Sequence, residues 1–529
     1  MHIRIVKRNN KNKPPTQYIQ LVRSVRIKGK KNPQQKIMAS LGRLDQIKEG
    51  QFDALIKGLA ELPTKLKLLD MDENLFMEDS FKLGPRLIVE HLWKKLNLPE
   101  ILKSLNLTEA VVEPLFQMIL ARIDEPVSKR STVQNLHWYL KPGEKPFSLS
   151  TFYRSLDEIV PHIPKIEERL FEAQHGPWEQ DDFFNPVGLD LIFFDTTSVS
   201  VHQTGDDFFK RGYSRDHRPD LPQFLIGLVV STSGDPLCHY LFPGNTSDKK
   251  AFEKAIHDVR RRFPIKRIIF LADRGYITES LLEGIRTMGL EYIVGCRLRL
   301  EKKVRETVLK TGGRYAKYDD VLKCKEVHLD SERYIVIQNA KQAERDRHVR
   351  QTLLSDLSKQ AGKSLKGLTG NRGYRRYLKN TGTIEIDSTK VSQDERYDGK
   401  WVLRTNVKDM TRIDVIESYK TLAVVEQWFR VLKNSLEVKP VYHWTLERIR
   451  GHVFICFLGL KIWNLFSESM RHHDASILAH DVWQDLTRVK GCLMHVNADR
   501  YLIRNELGDL AQKAFRSVNA AYPARLQKL

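Results

Sequence analysis

At 529 residues the chain is too long for one ordinary core, so two to four structural units are expected. Its 87 Lys+Arg against 66 Asp+Glu leave a formal charge of +21, which points to a polyanionic partner, nucleic acid before an anionic membrane surface. The five cysteines, Cys238, Cys296, Cys324, Cys456 and Cys492, form no CxxC pair. That argues against a zinc finger or disulfide framework and for a reduced, cytoplasmic setting.

Residues 1–43 hold twelve Lys/Arg and no Asp or Glu, in strand-like runs IRIVKR, TQYIQLVRSVRI and KIMASLG. They predict a small basic β unit, assigned to 1–75, with phosphate contacts as its expected role. No apolar leader precedes it, so no secretory signal is expected. Residues 76–185 form a helical region, because apolar positions recur every three to four residues in FKLGPRLIVEHLWKKLNL and EAVVEPLFQMILARI. Trp138, Tyr139, Phe152 and Tyr153 continue it and read as core aromatics, and HGPWEQDDFFNP reads as a linker.

From residue 188 the pattern changes. GLDLIFFDTTSVSVH, QFLIGLVVST and PLCHYLFP are strands joined by short turns; KKAFEKAIHDVRRRF is helical, RIIFLADRGY a buried strand, TESLLEGIRTMG helical and LEYIVGCR a strand. The order β-β-β-α-β-α-β suits a mixed sheet in which an antiparallel meander is followed by right-handed crossovers. Residues 299–410 read as a β-rich insertion with its own β unit: YIVIQNA, TIEIDS and KWVLRT are strands, and residues 341–379 carry eleven Lys/Arg against three acids. One long helix is expected from Asp414 to about Glu437 and a second from Leu446 to Met470. The apolar run VFICFLGL within the second is far shorter than the ~20 residues of a membrane span and reads as buried helix, so no membrane partner is expected. Residues 471–529 are expected to be helical.

Acids on apolar elements mark the candidate site. Asp195 ends the run LIFFD and Asp273 ends IIFLAD. A lone buried carboxylate is costly, so each suggests a strand-end site, where open sheets gather ligands, or else a turn residue. On the long helix, Tyr419, Glu426, Arg430 and Lys433 fall on one stripe at 100° per residue. On a lone helix this would be a solvated stripe with an i,i+4 pair; beside two strand aspartates, Glu426 becomes the third acid. Three converging carboxylates suit Mg²⁺ or Mn²⁺, and two such ions can drive an in-line phosphodiester displacement. Asp195 is the candidate bridge, with Asp273 and Glu426 each completing one side. Asn245, Ser247 and Asp248 lie in the loop after the third strand and read equally as substrate-orienting residues or a plain turn. His202 and His443 read as structural histidines. Arg274 either touches phosphate or pairs locally.

This arrangement resembles the RNase H-like catalytic core, and the helix resembles the Y-(2)-R-(3)-E-(6)-K signature of DDE transposases of bacterial insertion sequences. Tyr419, Glu426 and Lys433 occupy its tyrosine, glutamate and lysine positions, while Leu422 stands where the family has arginine and Lys420 or Arg430 is left to supply that charge. DTTSVS at 195–200, PGNTSD at 243–248, ADRGY at 272–276, DGKWVLRTN at 398–406 and PVYHWTLERIRGHVFICFLGL at 440–460 extend the likeness over nearly the whole chain. The resemblance implies a catalytic core of 186–298 and 411–470 with the insertion between, and Asp195, Asp273 and Glu426 as both catalytic and metal-holding. It implies Tyr419, Lys420, Arg430, Lys433, Arg274 and Trp401 as DNA contacts, Trp401 as the counterpart of a base-receiving tryptophan; its strand favours a core role. The implied activity is metal-dependent cleavage and strand transfer on double-stranded DNA, at the element's terminal repeats and a target, by a homodimer associated with a bacterial nucleoid. A nuclease or resolvase on the same core, or an inactive DNA-binding derivative, is the alternative.

Overall fold

The computed structural model describes residues 2–10, 13–25, 34–46, 50, 53–54, 75–175, 192–202, 207–215, 218–231, 234–263, 267–272, 278–330, 332–359, 372–379, 385–496 and 499–529. Two compact units result: Met1–Asp79 with Cys492–Ile503 and Leu526–Leu529, and Ser80–Gly491 with Arg504–Arg525.

In the first unit, His2–Asn10, Lys13–Val25 and Gln34–Arg43 form an antiparallel three-stranded sheet with Lys13–Val25 in the centre. Alternation sets the register: Ile5 faces Ile19, and the side chain of Arg4 reaches Gln20 on the central strand and Gln35 on the far strand. The C-terminal region departs from the expected all-helical reading. Helices Ala479–Thr487 and Asp509–Ser517 are present, but Lys490–Val496, Asp499–Arg504 and Leu526–Lys528 are strands of a second sheet. KGCLMHV and DRYLIR are short enough that a helical stripe and a strand alternation look alike.

The second unit is built on Leu446–His473, a helix long and apolar enough to cross a membrane by length and composition, yet 72% of its most apolar window is buried inside the protein. Helices Glu109–Asp124 and Leu149–Ile159 pack on it through Leu115, Ile119, Phe152 and Leu156. Gly451 permits the close approach: a Cβ there would lie 2.8 Å from the Leu156 carbonyl oxygen. Of the helical-region aromatics, Tyr139 and Phe152 are buried, while Trp138 is exposed.

The strands follow the expected order. Gln223–Ser231 runs antiparallel between Ile192–Ser200 and Pro236–Pro243. Ile269–Ala272 lies beside Ile192–Ser200 and runs parallel to Glu291–Gly295. Helices Asp248–Arg262 and Glu279–Thr287 make the crossovers. The fold is mixed α/β, with the antiparallel meander and the parallel pair hydrogen-bonded into two separate sheets. The insertion is continuous with the second of these sheets: Lys400–Thr405 pairs with Glu291–Gly295 on one side and Glu332–Asn339 on the other, which in turn pairs with Leu322–Leu329. The strand expected at TIEIDS reduces, among the described residues, to an isolated bridge between Leu378 and Ile386.

Candidate active site

Asp195 lies within a strand, opposite Leu228, and not at a strand end as its apolar run suggests, because pairing with Gln223–Ser231 continues through Thr196, Thr197 and Ser198 to Ser200. Those three residues are buried and polar, and two of them bind Arg215. The Arg215 backbone N–H donates to Ser198 Oγ at 2.8 Å. Its guanidinium donates to the carbonyl and hydroxyl oxygens of Thr196 and, at 2.9 Å, to Asp248 Oδ1. The Thr196 hydroxyl also donates to Asp248 Oδ1 at 2.9 Å, and the Thr196 N–H to Asp195 Oδ1 at 2.7 Å. A strand, a loop and a helix start are thus joined around one carboxylate.

Glu426 reaches the same place from another element. The expected single helix is interrupted at Thr421 into Arg412–Lys420 and Leu422–Arg430, followed by a wider turn, Val431–Ser435. Leu422–Arg430 buries Val425, Trp428 and Phe429 and packs on Ile192–Ser200. Trp428 Nε1 donates to the Gly234 carbonyl at 2.7 Å. Glu426, Asp195, Asp248, Arg215 and Leu422 then line one cavity of about 280 Å³. Burial pushes the Asp195 carboxyl up to about 6; Arg215 and the Thr196 N–H pull against this, while the negative Asp248 and Glu426 add to it.

The remaining expected residues divide. Asp273 and Arg274 lie outside the described residues. Tyr419 stands before the break at Thr421 and lines a different, larger cavity of about 900 Å³, together with Trp401 of the insertion. Tyr397, Arg299, Arg350 and Arg376 line it as well. Lys420 donates to the Tyr318 hydroxyl at 2.8 Å, Arg430 is exposed, and Lys433 sits half-buried in the turn after the helix. Leu422, where the signature has arginine, puts an apolar side chain against the Asp195 cavity. Ser247 caps the helix Asp248–Arg262 by accepting from the Lys250 N–H, so it is structural, whereas Asp248 joins the site. Arg215 was not readable from sequence: KRGYSRDHRPD is a polar loop with no periodicity, and four of its residues are basic side chains of equal claim.

Among the described residues no group of three or more His, Cys, Asp and Glu is placed to hold a metal ion. Asp195, Glu426 and Asp248 line one cavity without forming such a group, and their carboxylate oxygens are the type of donor that suits a hard divalent cation. A cation there would offset both the burial that chiefly raises Asp195 and the smaller repulsion from Asp248 and Glu426.

Residues 187–460, more than half of the chain, match the transposase DDE domain family. The chain belongs to that family. Residues 3–65 of the transposase match the IS1634 family transposase N-terminal domain, which accounts for the basic β unit at the start. No curated protein matches. Among solved structures, the chain is similar to piggyBac transposase in a synaptic complex with hairpin DNA, with 9% identity, TM-score 0.36, and 77% of this chain and 79% of that one covered. It is also similar to Mos1 transposase in a paired-end complex with the left transposon end, with 12% identity, TM-score 0.15, and 33% and 56% covered. The family makes this an insertion-sequence DNA transposase, a DNA-cleaving and strand-transferring enzyme that depends on a divalent metal. The nuclease and inactive-derivative alternatives are not favoured.

Proposed function

We propose that Asp195, Asp273 and Glu426 are the catalytic carboxylates of this transposase, holding two divalent cations, Mg²⁺ or Mn²⁺. The observation that carries it is the convergence of Asp195 and Glu426, 231 residues apart in sequence, on one cavity. Asp273 directly follows the strand Ile269–Ala272, the neighbour of the Asp195 strand. Bound cations would supply an activated water or 3′-hydroxyl and stabilise the leaving oxygen. Arg215 holds Asp248 and the Thr196 backbone, so the Asp195 carboxylate keeps one orientation. Arg430 and Lys433 follow Glu426 and hold phosphates.

The YREK-like spacing of Tyr419, Glu426 and Lys433 supports placing the chain in that branch, with Leu422 as its departure. Tyr419 and Trp401 share the second cavity with four arginines and three aspartates, and its aromatic rings suit stacking against an unpaired base. The N-terminal unit and helical region bind the element's terminal repeats, and two ends held together imply a homodimer on DNA in the bacterial nucleoid. The test is cleavage of end-containing DNA with Mg²⁺, with strand joining to a supercoiled target read in the same reaction. Asp195→Asn, Asp273→Asn and Glu426→Gln should each lose both activities and keep DNA binding; undiminished cutting by any one removes that residue from the set.

A further inference from the structure

Apart from the two cavities described above, the segment that follows helix Glu109–Asp124 and the segment Glu437–His443 enclose a cavity of about 480 Å³. Four of its lining side chains are buried cations or imidazoles: Arg122, Lys129, His443 and His452. The one carboxylate that lines the cavity among the described residues is Glu437, which is exposed.

The four groups differ in how they are satisfied. The Arg122 guanidinium donates to the carbonyl oxygens of Val127, Leu436 and Glu437, and its Nε has no partner. His452 Nε2 bonds the Val438 carbonyl at 3.1 Å, and its Nδ1 has no partner. The His443 ring stands 5.3 Å from that of His452. Lys129 is 4% exposed and makes no hydrogen bond or ion pair among the described residues. Burial drives the Lys129 ammonium well below the usual lysine range, with Arg122 adding to it, and drives both imidazoles down as well. Asp157, the acid that works against this at His443, is engaged with Arg448. An unpaired buried lysine is among the rarest placements for that side chain. The volume exceeds that of a water-filled gap and admits a tetrahedral oxyanion with an ester substituent.

We propose that this cavity is a phosphate site, in which Lys129, His443 and His452 surround the oxyanion and the partnerless Arg122 Nε faces it. The phosphate is either a backbone phosphate of bound DNA or a free one. Because Arg122 also holds the carbonyls of Leu436 and Glu437, which follow the wider turn Val431–Ser435 after the Glu426 helix, an occupied cavity would stiffen the chain that leaves that helix.

Inorganic phosphate titrated into the full-length protein by calorimetry at pH 7 tests the free source, and the salt dependence of binding to end-containing DNA tests the other. Lys129→Met keeps the length of the side chain and removes the charge. If the source is free phosphate, the wild type binds it and Lys129→Met binds at least about tenfold more weakly. If the source is DNA, Lys129→Met lowers the slope of log affinity against log salt by about one. Equal phosphate affinity together with an equal slope overturns the proposal. A second measurement needs only the wild type: His443, pushed down to about 4, is neutral at pH 7, so an oxyanion filling the site draws a proton onto it, and the binding enthalpy of phosphate or DNA varies with the ionisation enthalpy of the buffer. No proton uptake with either probe rejects the site, whatever the folding of the variant.

Discussion

Trp428 Nε1 donates to the main-chain carbonyl of Gly234, 194 residues away in sequence, at 2.7 Å. Gly234 lies in the turn between the second and third strands of the meander, with φ +90°. The bond therefore pins the helix that carries Glu426 to the sheet that carries Asp195. Trp428→Phe keeps an aromatic ring in the core and strands a buried carbonyl. It should cost about 1–3 kcal/mol of stability. Its sharper signature is a fall in the DNA cleavage rate with unchanged affinity for DNA ends, read by single-turnover cleavage beside a binding titration. Equal cleavage rates would mean that Glu426 does not depend on this anchor.

The acids can be separated from their neighbours by replacement with amides. Asp195→Asn and Glu426→Gln remove charge without volume, so folding should survive and cleavage should fall by roughly 10³-fold or more. Asp248→Asn should have a smaller effect, since Asp248 is already engaged by Arg215 and Thr196. Equal losses at Asp248 and Glu426 would promote Asp248 to a member of the catalytic set.

Metal dependence should follow pH in a defined direction. The metal-free Asp195 carboxyl, pushed up to about 6, stands above its unfolded value near 4. An ionised Asp195 therefore penalises the metal-free fold above pH 6, and this penalty is relieved as pH falls from 6 to 4, by about 3 kcal/mol at most. Cation affinity moves the opposite way, falling about tenfold per pH unit below 6, because the cation must displace the proton. Arg215→Gln removes the charge that lowers Asp195, so the acid limb of the cleavage profile should shift to higher pH and the required Mg²⁺ should rise. Cleavage profiles at several Mg²⁺ concentrations check both, and an unmoved acid limb in Arg215→Gln contradicts the account.

Stability of the insertion rests on Glu332. Its carboxylate, 8% exposed, accepts from Arg404 Nε at 2.5 Å and also from Arg286 and Tyr292, while Arg404 continues to Glu279. The group joins the insertion strand Glu332–Asn339 to the core strand and helix. Glu332→Gln leaves two arginines without their shared acid and should cost about 3–5 kcal/mol, read by denaturant unfolding. A loss below about 1 kcal/mol would show the network to be replaceable by water.

Much of this was legible in sequence because apolar runs reveal themselves locally. LIFFD, QFLIGLVV and PLCHYLFP are the meander, and the alternation of helix and strand after Asp248 sets the crossovers. Periodicity also brought Glu426 to the site, although the helix breaks at Thr421 and sends Tyr419 to another cavity. What stayed hidden depends on pairing across long distances. That Asp195 sits inside its strand follows from Leu228, and that Arg215 is its neighbour follows from a loop fold with no period. The insertion looked self-contained because nothing in KWVLRT says which strand it will pair with.

That pairing has a consequence for anyone who would shorten the protein. Glu291–Gly295 is hydrogen-bonded on both flanks, to Ile269–Ala272 and to Lys400–Thr405. Excising the insertion would bare a row of backbone donors and acceptors along YIVG, a β-branched and aromatic sequence, and turn an interior strand into a sticky margin. A truncated protein should therefore precipitate or self-associate before it can be assayed, and transplanting the insertion between relatives would require carrying its seam strand along.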